Sequence, residues 1–166
     1  NWRNGDIKTT WGGAYRDYDS TSDQLFSGNS RRINRIWRGF INQAVKISRK
    51  LSASGAYSLE NSDTAGTQPA YQAAALFHLV ENHSLRASYA YAPTLPSSFS
   101  KDANYRKNSA ILLVGNPDLK PMRTSSYEAG YRGTLLDRKL NLESNFFYMN
   151  IKDIPTNFNQ SMVFFP

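Results

Sequence analysis

Two histidines, two separated glutamates and one knot of arginines are the residues whose types invite a chemical reading. His78 and His83 are the only histidines, and Cys is absent. Disulfides, thiolate zinc sites and cysteine nucleophiles are therefore excluded. A zinc site takes three or four protein ligands. One histidine on a strand face and one in a turn do not supply them, so no metal or other cofactor is expected. Glu128 and Glu143 can be posed as the carboxylate pair of a glycosidase. Nothing else supports that chemistry, and no nucleophile–base spacing or phosphate-binding loop stands out, so no enzymatic activity is expected. Arg31, Arg32, Arg35 and Arg38 form the densest basic group in a chain of net charge +7. A basic balance suits nucleic acid, lipopolysaccharide phosphates or an acidic ligand. The other basic residues alternate along strands, and nucleic acid is not expected as a partner.

The elements that hold these residues follow a period of two. Alternate residues of a strand point to opposite faces, so strict alternation marks a half-buried strand. Leu140, Leu142, Phe146 and Tyr148 alternate with Asn141, Glu143 and Asn145. Leu85, Ala87, Tyr89 and Tyr91 alternate with Ser84, Arg86 and Ser88. The same rhythm runs through Leu51–Leu59, Tyr71–Leu79 and Tyr127–Arg132, and through Ile7, Thr9, Trp11 and Tyr15. Between Ile33 and Ile47, Trp37, Ile41, Val45 and Ile47 suit a strand face, while Ile41, Ala44, Val45 and Ser48 suit a helix face.

About seven strands result. The links at 48–50, 81–83 and 136–138 are tight. Those at 17–32, 61–69, 93–123 and 152–161 are long, polar and rich in Gly, Pro and Asn. Alternating short and long links describe an up-and-down meander, the layout of an outer-membrane β-barrel. Most strands reach the ~9 residues that a tilted strand needs to cross a bilayer. Tyr15, Tyr57, Tyr71, Tyr89, Tyr91, Tyr131 and Tyr148 sit towards strand ends, where amphipathic rings form the girdles of such barrels. No apolar run approaches ~18 residues, so no transmembrane helix is expected. The 166 residues and 18.8 kDa fit one domain or a piece of a larger one.

From Asn82 onward the chain resembles the C-terminal half of a TonB-dependent outer-membrane receptor barrel. The segment Asn82–Tyr89 resembles a rising strand of that family, and Ala92-Pro93-Thr94-Leu95-Pro96-Ser97 its exit into a long loop. Gly115-Asn116-Pro117-Asp118-Leu119-Lys120-Pro121 resembles the family's most recognisable barrel motif. Ser126-Tyr127-Glu128-Ala129-Gly130-Tyr131-Arg132 follows it, and 140–154 resembles the next strand. The family usually has Glu where Met122 stands and often Arg where Thr94 stands. The first 81 residues fit by rhythm alone.

The resemblance implies an all-β, antiparallel wall within a barrel of ~22 strands that closes around a plug. It implies uptake of a scarce ligand such as an iron–siderophore complex or cobalamin, energised by the periplasmic partner TonB. It also implies the Gram-negative outer membrane, with its lipid and lipopolysaccharide as partners. Residues 1–166 are expected to be an incomplete barrel without plug, signal peptide or TonB box, prone to aggregate alone in water. The alternation predicts Arg86, Glu128, Arg132 and Glu143 to face the lumen, as plug contacts or as wall salt bridges. Phe99, Lys101, Tyr105, Arg106 and Lys107 in the longest loop, with Phe26, Arg31 and Arg32 in the 17–32 loop, are the candidates for an anionic, partly aromatic ligand. Loop packing or lipopolysaccharide contact is the plainer role for them. Gly115, Asn116, Pro117, Leu119 and Pro121 are expected to shape the return of that loop into the wall, ahead of Tyr127, Glu128, Gly130 and Tyr131. Pro117 restrains Asn116 to extended or turn backbone. Pro121 ends any ladder before a strand that opens near Thr124.

A soluble β-sandwich that binds carbohydrate or another ligand fits the same strand count and size. It requires one apolar core shared by two sheets, whereas a barrel wall requires an apolar belt facing lipid.

Overall fold

The computed structural model describes residues 2–23, 25–26, 31–107, 110–136 and 139–154, without the side chains of 2–4 and 106–113. In chain order the elements are β1 (Trp2–Asn4), β2 (Ile7–Thr21), β3 (Arg31–Lys46), β4 (Leu51–Ser62), β5 (Gly66–Val80) and β6 (His83–Thr94). There follow a short helix α1 (Ser98–Asp102), β7 (Asn104–Lys107), β8 (Ala110–Val114), β9 (Met122–Leu135) and β10 (Leu140–Lys152). One antiparallel sheet runs β1-β2-β3-β4-β5-β6-β9-β10, and β7 and β8 form a separate two-stranded ribbon. Seven strands are long and one, β1, is a three-residue addition that the alternation did not predict.

The long strands have 12 to 16 residues. At ~3.3 Å per residue and the ~40° tilt of such barrels, a 12-residue strand rises ~30 Å, more than the ~25 Å apolar band of an outer-membrane barrel. Their outer ends must therefore stand clear of the band. The stretch 33–47 is strand, paired residue for residue with β2 and β4, and not helix. Tertiary pairing on both edges decides a segment whose apolar spacing fits either element.

The two ends of the sheet differ. At one end the connections are short. Ser48 Oγ accepts from the amides of Lys50 and Leu51 at 3.2 and 3.1 Å, and Asn82 adopts φ 65° to close β5 onto β6. Asn is among the few side chains that tolerate this left-handed backbone. His83 opens β6 and is a strand residue, where a turn was expected.

At the other end three expectations change. The link expected over 61–69 is a three-residue turn, 63–65, so the alternation of short and long links breaks there. Ser62, buried, accepts from the Thr64 amide at 3.2 Å and donates to Asn34 Oδ1 at 3.0 Å. Gly66 at φ +65° then starts β5 at once. The link expected over 17–32 is shorter because β2 continues to Thr21 and β3 begins at Arg31, which makes Arg31 and Arg32 strand residues. Polar residues there continue the ladder above the apolar band. The strand expected to open near Thr124 opens at Met122, directly after Pro121. The expected link 152–161 lies outside the described residues beyond Ile154.

Among the described hydrophobic residues only Phe26 (5% exposed) and Ala103 (3%) are buried, and both lie in the outer loops. Among the described residues no second sheet covers a face of the first, and the β7–β8 ribbon lies in the outer segment between β6 and β9. The sandwich reading, which needs a shared core, does not hold.

Candidate functional site

Cross-strand register sorts the sheet into two faces. One carries Ile7, Trp11 and Tyr15 of β2 against Trp37, Ile41 and Val45 of β3. It continues through Tyr57, Tyr71, Tyr89 and Tyr91 to Tyr127, Ala129 and Tyr131 of β9 and Leu142, Phe146 and Tyr148 of β10. No Asp, Glu, Lys or Arg stands on this face between Ile7 and Tyr15 of β2, between Trp37 and Val45 of β3, anywhere in β4, β5 or β6, between Ser125 and Leu135 of β9, or between Leu140 and Asn150 of β10. Trp11 (70% exposed) and Phe146 (73%) stand out from it uncovered. A contiguous apolar face of this extent marks an interaction surface.

Rings lie across the upper part of that face. Tyr15 and Trp37 have centroids 4.4 Å apart. Tyr91 stacks on Tyr71 at 5.0 Å, Tyr71 lies 6.0 Å from Tyr89, Tyr89 lies 4.8 Å from Tyr127, and Tyr127 lies 6.1 Å from Tyr148. Such pairs add roughly 0.5–1.5 kcal/mol each beyond area burial. Tyr131 lies at the opposite, short-turn end, where its hydroxyl is 2.7 Å from His83 Nδ1.

The other face holds the charges. Lys8, Arg16, Arg38, Lys46, Glu60, Arg86, Glu128, Arg132 and Glu143 stand there with Ser52, Ser54, Ser58, Ser84 and Ser88. All four residues expected on the lumen side, Arg86, Glu128, Arg132 and Glu143, thus share one face. Arg86 lies 3.7 Å from Glu128, to which Ser88 also donates at 3.4 Å. Arg132 and Glu143 are direct partners in the ladder. A cleft of about 300 Å³ opens between Arg86, Glu128, Glu143 and Phe147. Arg38 Nε donates to Glu60 at 2.7 Å. Phe40 lies over Gly12, so close that a methyl group at Gly12 would overlap the ring.

At the outer end, the segment between β6 and β9 reaches back past β5 and β4 to the charged face of β3. Lys101 Nζ donates to the Thr64 carbonyl at 2.7 Å. Asp102 lies 3.7 Å from Arg32, whose guanidinium sits 5.3 Å over the Phe26 ring. The Asn104 amide donates to Leu25 O at 2.7 Å. Ser97 caps α1 by accepting from the Ser100 amide at 3.0 Å. Gly115 and Asn116 donate to the carbonyls of Ala103 and Ser100 at 2.6 and 2.9 Å, and Asn116 Oδ1 accepts from the Asp118 amide at 2.9 Å. The motif 115–121 therefore ties α1 to the wall.

The loop candidates divide. Phe99 is exposed, Lys101 is committed to Thr64, and Tyr105 is half-buried in β7. Arg106 and Lys107 belong to β7, and their side chains lie outside the described residues. Arg31 holds Asp19 through Nε and Nη2, the shortest contact 2.7 Å. This hydrogen bond keeps the Asp19 carboxyl below the usual carboxylate range. Among the described residues, no group of three His, Asp or Glu could hold a metal ion.

The family described as "TonB dependent receptor-like, beta-barrel" matches residues 1–165. The chain belongs to this family. The match extends the likeness from the C-terminal half to the first 81 residues. No curated protein is significantly similar to the chain. Among solved structures, a ferric enterobactin receptor of Pseudomonas aeruginosa superposes with a TM-score of 0.67 at 16% identity, over 89% of this chain and 24% of that one. The siderophore receptor PirA of Acinetobacter baumannii gives 0.65 at 21% identity, over 89% and 24%. PiuA of the same organism gives 0.53 at 17%, over 88% and 29%. The chain thus spans 24–29% of those receptors, and at these identities they share its fold. The TonB-dependent receptor family is one of receptors and transporters of the Gram-negative outer membrane. The eight-stranded sheet is part of such a barrel.

The signal that sequence reading missed is register. Arg123 and Lys152 sit on the apolar face above Tyr127 and Tyr148, four positions along each strand, and only the pairing shows that they meet.

Proposed function

We propose that this chain is part of the barrel wall of an outer-membrane receptor that takes up a scarce ligand, such as an iron–siderophore complex or cobalamin, with energy delivered through TonB. The observation that carries the proposal is the uncharged, ring-topped face on a chain of this family. That face meets lipid. The charged face meets the wet, plug-filled interior, where Arg86, Glu128, Arg132 and Glu143 pair with each other and with the plug. The segment 95–121 docks across the charged face at the outer end and so narrows the mouth of the barrel on this side. Its exposed Phe99, together with Tyr105, Arg106 and Lys107, is suited to meet an anionic ligand with aromatic rings. The names of the siderophore receptors above support that ligand class.

The test is a deletion of the gene carrying this chain in its source cell. Uptake of a labelled ferric siderophore or of cobalamin should fall, return on complementation, and stop on dissipating the proton gradient. Uptake of both ligand classes unchanged by the deletion would reject this function.

A further inference from the structure

We infer that the apolar face carries a binding site for the phosphate headgroup of an outer-leaflet lipid, built on β9 and β10 from Arg123, Lys152, Tyr91, Tyr127 and Tyr148. The inference rests on the reading that this face meets lipid. A cleft of about 280 Å³ lies there, lined by these five residues with Ser125 and Asn150. Every lining residue belongs to the apolar face, and none to the loops or the charged face.

The two cations are the telling feature. Arg123 and Lys152 are direct partners in the β9–β10 ladder. Like charges placed directly opposite destabilise a sheet, so this pairing favours an anion between them. Elsewhere on the same face, above the rings of β2 and β3, the cross-strand partners are Asp17 and Arg35, which carry opposite charges. Asp153 does hold one side of Arg123, accepting from Nε at 2.6 Å and lying 2.5 Å from Nη2. It reaches back because its own backbone turns at φ 56°. A guanidinium has five donors, so Arg123 keeps donors for a second acceptor. Among the described residues Lys152 has no ion-pair partner. The group keeps a net positive charge.

Depth agrees with a headgroup. Tyr127 and Tyr148 are ring partners at the top of the apolar belt, the level of the interface. Four residues above them, at ~3.3 Å each along a strand tilted ~40°, the cations stand ~10 Å further out. A phosphate is held between them, the phenol hydroxyls and Ser125 and Asn150 offer further hydrogen bonds, and the acyl chains run down over Phe146 and Leu142.

The experiment uses the full receptor polypeptide that carries this chain, purified in mild detergent, with bis-phosphorylated lipid A as probe and native mass spectrometry as readout. The receptor should retain lipid A, and the Arg123→Gln/Lys152→Gln variant should bind it about tenfold more weakly, or ~1.4 kcal/mol. Lys152→Arg and Arg35→Gln should bind as the parent does. Dephosphorylated lipid should bind the parent only as weakly as lipid A binds the double variant. Equal lipid A binding by the parent and the double variant overturns the site. So does full displacement by inorganic phosphate, which would make it a site for the free ion. Quenching of Trp37 by brominated phospholipid, taken as the difference from Trp37→Phe, checks the underlying reading separately. Quenching with unaltered lipid A binding sinks the headgroup site alone. Absence of quenching sinks the lipid-facing assignment and the site with it.

Discussion

The Gly115 amide donates to the Ala103 carbonyl at 2.6 Å, and its Cα faces the Lys101 backbone so closely that a methyl group would lie 2.6 Å from the Lys101 carbonyl. The obstacle is backbone and cannot swing aside. Gly115→Ala should therefore detach the end of α1, at a cost of ~1–3 kcal/mol typical of overpacking. Limited proteolysis should show faster cleavage between 95 and 121 while the barrel itself keeps its resistance to heat and detergent. Unaltered cleavage would mean that the segment is not held by this contact.

Charge should be tolerated on one face and not on the other. Ala129 stands on the apolar face between Ala87 and Phe146, two residues below Tyr127, and Ala129→Arg should lower barrel stability by ~1–2 kcal/mol, between the cost of a cation at the interface and at the bilayer midplane. Ser88→Arg, one step away on the charged face, should cost far less. Urea unfolding of the receptor in lipid vesicles measures both.

Arg38 and Glu60 pair on the charged face, with the Glu60 side chain 17% exposed and that of Arg38 46%. Solvent still reaches the arginine, so the coupling should be modest, ~0.5–1 kcal/mol. A double-mutant cycle with Arg38→Gln and Glu60→Gln isolates it. A value near zero would mean that solvent screens the pair fully.

Above the rings, Asp19 is held by Arg31 and its pKa is depressed on folding. A depressed carboxyl stabilises the fold fully above the unfolded-state value of ~3.9, and that contribution fades as the pH falls through the lower folded-state value. Hydrogen exchange at the outer ends of β2 and β3 should accordingly rise only below about pH 4, the ordinary carboxylate range. Asp19→Asn should make that exchange fast at neutral pH and remove its acid dependence.

Much of this architecture was legible in the sequence because the belt is written in period two. Leu140 to Tyr148 and Leu85 to Tyr91 announce their faces residue by residue, and Arg86, Glu128, Arg132 and Glu143 fall on the other face for the same reason. What was not legible depends on partners distant in sequence. The length of β2 beyond Arg16 comes from pairing of Asp17 and Asp19 with β3, not from hydrophobicity. The 63–65 turn depends on Ser62 finding Asn34. Lys101 was read as a ligand candidate from its type alone, and its bond to Thr64 joins residues that only the fold brings together. The resemblance at Gly115–Pro121 identified a motif. Its close approach to α1 is a property of the fold, made by backbone distant in sequence.

The most direct test of the lipid-facing wall is a scan of spin labels at 140–148 in the full receptor reconstituted in bilayers. Oxygen accessibility should peak at 140, 142, 144, 146 and 148, and a water-soluble nickel reagent should reach 141, 143, 145 and 147 instead. Accessibility without a period of two, or with the two reagents exchanged, would contradict the assignment of β10 as a lipid-facing barrel strand.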